Sequence, residues 1–208
     1  MNLEIKRQLI NFYDKDVWEH LTVGEHLKMW SNTYADRVAV VDENEELTYR
    51  QLKDEVDCYA NGLLNQGFCK GDKVLFQLPN SKEFIIILFA MMSIGVIPVI
   101  ILMGHRYSEV KGILNKTNAK AYIGINRYLG FSYEDMVSNI IEDTKEDIQV
   151  YLIGETEKYE KLCALRQNRK NKFAKELDYK ETAIFLLSGG TTGFPKLIPN
   201  RHCEFIYL

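Results

Sequence analysis

"FIIILFAMMSIGVIPVIILM", residues 84 to 103, carries no charged side chain, and the way it is read decides the fold. An uncharged run of this length meets the requirement for a helix that crosses a bilayer. Gly95 and Pro98 divide it, however, and the β-branched half "GVIPVIIL" favours an extended chain. The stretch therefore reads as a buried helix up to Ile94 followed by a buried strand. Asn80 and Glu83 stand at capping-box spacing ahead of Phe84, which marks a helix that begins in water. A helix and strand buried in a parallel sheet have the same apolar continuity, because both faces of such a sheet are covered.

Helical and extended patterns alternate on either side of this pair. Upstream, "TVGEHLKMWSNTY" opens with a capping-box spacing (Thr22, Glu25) and keeps Val23, His26, Leu27 and Trp30 on one face. "RVAVVD" is a short extended run. "LTYRQLKDEVDCYANGLLNQG" has Thr48 and Gln51 as a second capping pair, an apolar stripe of Leu52, Val56, Tyr59 and Leu63, and Gly67 to close it. "DKVLFQL" is a strand. Downstream, "SEVKGILNKTN" and "SYEDMVSNIIEDT" read as helices, each followed by a strand, "KAYIGI" and "IQVYLIG". Strands alternating with helices of this length form βαβ units, so the expected fold is α/β with a mostly parallel sheet and helices on both faces. Such sheets bind ligands at the carboxyl ends of their strands.

The 208 residues suffice for one sizeable domain, and 46% hydrophobic with 26% charged residues is ordinary globular composition. A net charge of -3 spread over both signs lacks the clustered basic excess of a nucleic-acid surface. Small molecules or proteins are the expected partners, with no nucleic acid and no membrane among them. The basic stretch "RQNRKNKFAKE", residues 166 to 176, reads as a solvated linker. Cys58, Cys69, Cys163 and Cys203 show neither a C-x-x-C pair nor histidines at ligand spacing, so neither a metal site nor a disulfide framework is indicated. Reduced thiols, and an amino end without an uninterrupted apolar core or cleavage site, point to a cytoplasmic protein.

The stretch with chemical content is "LLSGGTTGFPKLIP", residues 186 to 199. "TAIFLL" before it reads as a buried strand and "KLIP" as a second extended piece, so "SGGTTGFP" is a loop leaving a strand. Gly189, Gly190 and Gly193 let the backbone take positive φ and approach a ligand, turning successive N–H groups into an anion nest. Ser188, Thr191 and Thr192 add hydroxyl donors, and Lys196 adds a mobile charge that can follow a polyphosphate. A glycine-rich turn without a ligand would leave this combination unexplained. The Walker A loop is ruled out: Phe194 and Pro195 separate Gly193 from Lys196, and Leu197 stands where that motif needs a magnesium-binding hydroxyl.

Ser188 to Lys196 resembles throughout the phosphate-binding motif of the adenylate-forming, or acyl-activating, enzymes, [ST]-[SG]-G-[ST]-T-G-x-P-K. "LTYRQL" (Leu47 to Leu52) and "MMSIGVIPVIIL" (Met91 to Leu102) resemble two further core motifs in family order, and the resemblance covers the chain from about Leu27 onward. The double glycine, "KLIP", His202 and "GHRYSEV" (Gly104 to Val110) are similar to the aryl-acid ligases that activate 2,3-dihydroxybenzoate or salicylate for siderophore assembly, the 2,3-dihydroxybenzoate–AMP ligases most of all. That subgroup reads P-R-T-H after the loop, whereas Pro199 is followed here by Asn200, Arg201 and His202.

The resemblance implies ATP as substrate with Mg2+, attack of a carboxylate on the α-phosphate, and transfer of the acyl group to the phosphopantetheine thiol of a carrier protein. Ser188, Gly189, Gly190, Thr191, Thr192, Gly193 and Lys196 would then shield the departing pyrophosphate. His202 stands as a nucleotide or substrate contact, or else as a helix-start or packing residue. The resemblance also implies that residues 1–208 are the amino-terminal part of the large AMP-binding domain. Most of the acyl pocket, the acidic magnesium ligand and the carboxyl-terminal domain with the catalytic lysine would lie beyond Leu208. The 208 residues alone are then expected not to adenylate an acid at a useful rate. Ending inside what reads as a new helix, "CEFIYL" favours an excised piece of a longer enzyme over a natural truncation. An amino-acid or fatty-acid ligase, or a non-catalytic module of a split enzyme, remains as an alternative.

Overall fold

The computed structural model describes residues 19–43, 45–168, 177–188 and 195–206. The uncharged run divides as its sequence indicates. Helix α3 (Lys82–Ser93) is followed by Gly95 at φ +76° and strand β4 (Ile97–Ile100). Glycine is favoured there because a left-handed residue just past the helix end costs a Cβ-bearing side chain strain. The helix starts differently from the expectation. Its N-cap is Ser81 rather than Asn80: the Ser81 hydroxyl accepts the Phe84 N–H at 3.3 Å. Glu83 therefore falls one position short of closing a capping box, and favours the helix start only through its charge. Among the described residues no helix is long and apolar enough to cross a membrane.

Both other capping boxes form. Thr22 starts α1 (Val23–Thr33), and Thr48 starts α2 (Tyr49–Asn65) after the antiparallel ribbon of β1 (Val38–Asp42) and β2 (Glu45–Thr48). Strand β3 (Lys73–Gln77) precedes α3; after β4 come α4 (Tyr107–Thr117), β5 (Ala121–Ile125), a small hairpin of β6 (Arg127–Tyr128) and β7 (Phe131–Ser132), α5 (Tyr133–Thr144) and β8 (Gln149–Ile153). A two-residue strand β9 (Glu160–Lys161) and the 3-10 turn Leu162–Leu165 lead on to β10 (Thr182–Ser188), β11 (Lys196–Arg201) and the short α6 (His202–Phe205). Of the basic stretch 166–176, residues 169–176 lie outside the described residues.

Among the described residues the main sheet has seven strands in the order β11-β10-β4-β3-β5-β8-β9. All neighbours are parallel except β11, which runs antiparallel to β10. Each face buries a separate core. On one side Val74, Phe76, Ile184 and Leu186 pack with α1, α2 and α3. On the other, Leu75, Val99, Tyr122, Leu152 and Phe185 pack with α4 and α5. Fully buried side chains such as Ile87, Met91 and Ile113 each contribute about 1.5–3 kcal/mol of burial, which dwarfs any one surface contact. All six parallel strands thus present their carboxyl ends along one edge.

Candidate functional site

Strand β10 emerges from the core at that edge. Its residues alternate between the two cores, and Ser188 continues the Ile184–Leu186 face. The antiparallel register with β11 pairs Leu187 with Leu197 and Ser188 with Lys196. Cross-strand partners project to the same side with Cβ atoms about 4.5–5.5 Å apart. The hydroxyl of Ser188 and the amine of Lys196 therefore leave the hairpin together, the first half-buried and the second exposed. Gly189, Gly190, Thr191, Thr192 and Gly193 lie outside the described residues. The structure brings together the two ends of the candidate loop and fixes them at the carboxyl edge of a parallel sheet.

His202 lies elsewhere. It follows β11 directly, beside the Thr182 end of β10, where Thr182 pairs with Arg201. At a rise near 3.3 Å per residue the length of β10 puts about 20 Å between that end and Ser188. His202 is only 1% exposed, its own N–H donates to the Glu181 carbonyl at 3.1 Å, and its Nδ1 accepts the N–H of Val23, the first residue of α1, at 3.3 Å. Burial, outweighing the nearby carboxylates of Glu181 and Glu25, holds its pKa down to about 4. The imidazole is neutral at pH 7, as an acceptor from a backbone N–H must be.

The carboxyl edge has a second built feature, in the segment that leaves β4. Gln77, the one polar residue at the end of an apolar strand, is completely buried. Its amide donates to the carbonyls of Leu102 at 2.8 Å and His105 at 3.2 Å, and its Oε1 accepts the Tyr122 hydroxyl at 2.8 Å. The Tyr133 hydroxyl donates to the Met103 carbonyl at 2.7 Å, and the Arg106 guanidinium donates to the carbonyls of Met103 and His105. Burial pushes the Tyr122 hydroxyl far up in pKa, so it stays a donor. The turn is closed by the His105 N–H on the Leu102 carbonyl at 3.0 Å. The side chains it presents are left open: Leu102 is 63% exposed, and the buried Nδ1 of His105 has no hydrogen-bond partner among the described residues. These holding residues were not singled out by sequence reasoning; the signal was a glutamine closing the apolar "VLF".

Among the described residues no group of three or more His, Cys, Asp or Glu side chains could hold a metal ion.

The sequence matches the family model described as AMP-binding enzyme over residues 27–208. It is 33% identical over 201 residues to the 2,3-dihydroxybenzoate-AMP ligase of Bacillus subtilis (strain 168), covering 96% of this chain and 37% of the relative. To the salicylyl-CoA synthase / salicylate adenylyltransferase of a Streptomyces species it is 34% identical over 199 residues, 91% of this chain and 36% of the relative. The apo structure of MbtA from Mycobacterium smegmatis superposes with a TM-score of 0.85 at 28% identity, covering 95% of this chain and 37% of that one. The chain thus spans little more than a third of the length of these proteins. With the match to the family model running from the second half of α1 through the β10–β11 hairpin, the chain belongs to the AMP-binding enzyme family.

Proposed function

We propose that residues 1–208 form the amino-terminal part of the large domain of an ATP-dependent, AMP-forming acid ligase. In this reading the whole protein joins an aryl acid such as 2,3-dihydroxybenzoate or salicylate to AMP and passes the acyl group to a phosphopantetheine thiol. The observation that carries the proposal is the register of Ser188 opposite Lys196 at the carboxyl edge, flanking "GGTTGFP". A nucleotide's phosphates are held there by backbone N–H groups between residues 189 and 193, by the hydroxyls of Ser188, Thr191 and Thr192, and by the Lys196 amine. Attack of a carboxylate on a phosphate joins two anions, so the protein contributes charge neutralisation and alignment. Lys196 and the hydroxyls shield the pyrophosphate as it leaves.

The choice of an aryl acid is supported by the names of the two relatives, both of which act on hydroxylated benzoates. The thiol acceptor is a carrier protein or coenzyme A, which share the phosphopantetheine arm; nucleic acid has no part in the reaction. The setting is cytoplasmic. Mg2+ enters as the counter-ion of ATP.

The test is ATP–pyrophosphate exchange by the protein expressed from its complete reading frame, with a panel of aryl, amino and fatty acids. Exchange dependent on 2,3-dihydroxybenzoate or salicylate is expected. Exchange with an amino or fatty acid alone would replace the substrate, and none with any acid would remove the reaction. The 208 residues alone are expected to give no exchange.

A further inference from the structure

Three residues from two strands, Gln77 of β3 and Tyr122 and Gly124 of β5, converge behind the segment leaving β4. In register, Gln77 of β3 pairs with Gly124 of β5. Tyr122 is two residues before Gly124 on the same face of β5, and its ring occupies the space a side chain at Gly124 would need. A Cβ there would lie 2.4 Å from the ring's Cε1 and 2.7 Å from its hydroxyl oxygen. The missing Cβ is therefore what lets the Tyr122 hydroxyl reach Gln77 Oε1. With that oxygen taken, the Gln77 amide is oriented with both hydrogens toward the segment, where it meets Leu102 and His105.

A buried polar network is costly unless every member is satisfied, and a fully satisfied one specifies a single conformation. Here it fixes backbone carbonyls in a segment where Leu102 is exposed and the His105 Nδ1 has no hydrogen-bond partner among the described residues, so its product is the placement of that segment. The placement has a neighbour. Val99 of β4 pairs with Phe185 of β10 in parallel register; β4 ends at Ile100, so the segment leaves the sheet from the strand next to β10, at the same carboxyl edge as Ser188.

We infer that Gln77, oriented by Tyr122 through the gap at Gly124, is a positioning residue of the nucleotide site, holding residues 102–105 as the wall beside Ser188. This rests on the acid-ligase reading and adds to it a residue set outside the glycine-threonine loop. A loosened wall weakens the grip on ATP in every bound state, which raises KM. A residue with a purely structural role lowers the amount of folded enzyme and so the apparent kcat, at unchanged KM.

The experiment measures exchange as a function of ATP concentration in the whole protein, for Gln77→Met, Tyr122→Phe and the double variant. The expected result is a KM for ATP raised about tenfold in Gln77→Met with kcat per folded molecule within about threefold. Tyr122→Phe moves KM the same way, about threefold, and the double variant matches Gln77→Met alone because the two act in series. An unchanged KM in folded Gln77→Met overturns the inference. If that variant does not fold, an unchanged KM in Tyr122→Phe does so. If the wild type exchanges no acid, calorimetric titration with ATP decides separately. Binding that weakens in both variants keeps the wall while the acid-ligase reading falls; binding equal to wild type, or absent in wild type, removes the wall as well.

Discussion

The two ends of β10 are built on opposite rules. At its amino end the polar groups satisfy one another. His202 accepts from Val23 and donates its N–H to Glu181, the N–H of Cys203 donates to the Tyr179 carbonyl, His20 stacks on Tyr179 at 4.5 Å between ring centroids, and Lys70 pairs with Glu181 at 2.6 Å. At its carboxyl end side chains hold backbone, and what remains is uncommitted: Lys196 and Leu102 are exposed, and the buried Nδ1 of His105 has no hydrogen-bond partner among the described residues. The first arrangement closes a seam between α1, α6 and the sheet. The second keeps groups in reserve for a ligand, as parallel sheets do at their carboxyl edges. A change at one end should therefore move stability and leave chemistry alone, and a change at the other should do the reverse.

The largest expected effect is at the carboxyl end. Lys196→Ala should lower pyrophosphate exchange by the whole protein by about a hundred- to a thousandfold, the scale on which removing one preorganised charge-stabilising group acts. Stability should change by no more than about 0.5 kcal/mol in urea unfolding, since the side chain is exposed. Thr192→Val should follow in the same direction with a smaller loss. Exchange within twofold of wild type in Lys196→Ala would mean that the phosphates are held elsewhere and that the two ends of β10 do not differ as described.

The next effect belongs to the amino end and appears on acidification. An unfolded histidine takes its proton near pH 6.5, whereas folded His202 takes it only near pH 4. As pH falls through 6.5 the unfolded state binds the proton first, so stability is full above that value, declines down to about pH 4 and levels off below. At 1.36 kcal/mol per pKa unit the total loss is about 3 kcal/mol. His202→Asn, whose side-chain oxygen can replace Nδ1 as acceptor without titrating, should flatten this acid limb and leave exchange per folded molecule unchanged. Melting curves between pH 4 and 7 decide it; an acid limb as steep in the variant as in wild type would assign the loss to other groups.

How much of this contrast was legible in the sequence follows from the range of the interactions involved. Capping boxes at Thr22 and Thr48, the stripe from Leu52 to Leu63 and the helix–strand break at Gly95 are local or periodic, and all appear as read. The cap at Ser81 was misplaced by one residue because Asn80 and Ser81 are both good caps and only backbone geometry chooses between them. Strand β1 appears where "RVAVVD" was read as extended, whereas its partner β2 and the strand β9 were missed because they are short and half-exposed, with little periodicity to detect. The glycine-threonine loop announced itself by composition. The place of His202 did not, since its partner Val23 is 179 residues away, and no spacing rule reaches that far. Gln77 was hidden for the same reason: a glutamine at a strand end is unremarkable until the carbonyls of a different loop are seen beneath its amide.

The smallest expected effect tests how tightly the amino-end seam is knit. At the start of α1 the Thr22 hydroxyl accepts the Glu25 N–H at 3.3 Å, and the Glu25 carboxylate accepts the Thr22 N–H at 2.7 Å. His202 takes the Val23 N–H between them. Three of the otherwise orphaned donors at this helix end are thus satisfied by two separate devices, one local and one reaching across the chain. Thr22→Ala should cost about 1 kcal/mol, the usual value of such a cap, with exchange unaffected. Combined with His202→Ala, it should cost less than the sum of the two single losses by about 0.5 kcal/mol or more. The first turn frays once, and after either device is lost the other has less order left to protect. Strict additivity would mean that the turn is held by its packing on Leu27 and Val23 rather than by its caps, and that the amino end owes its stability to the apolar core.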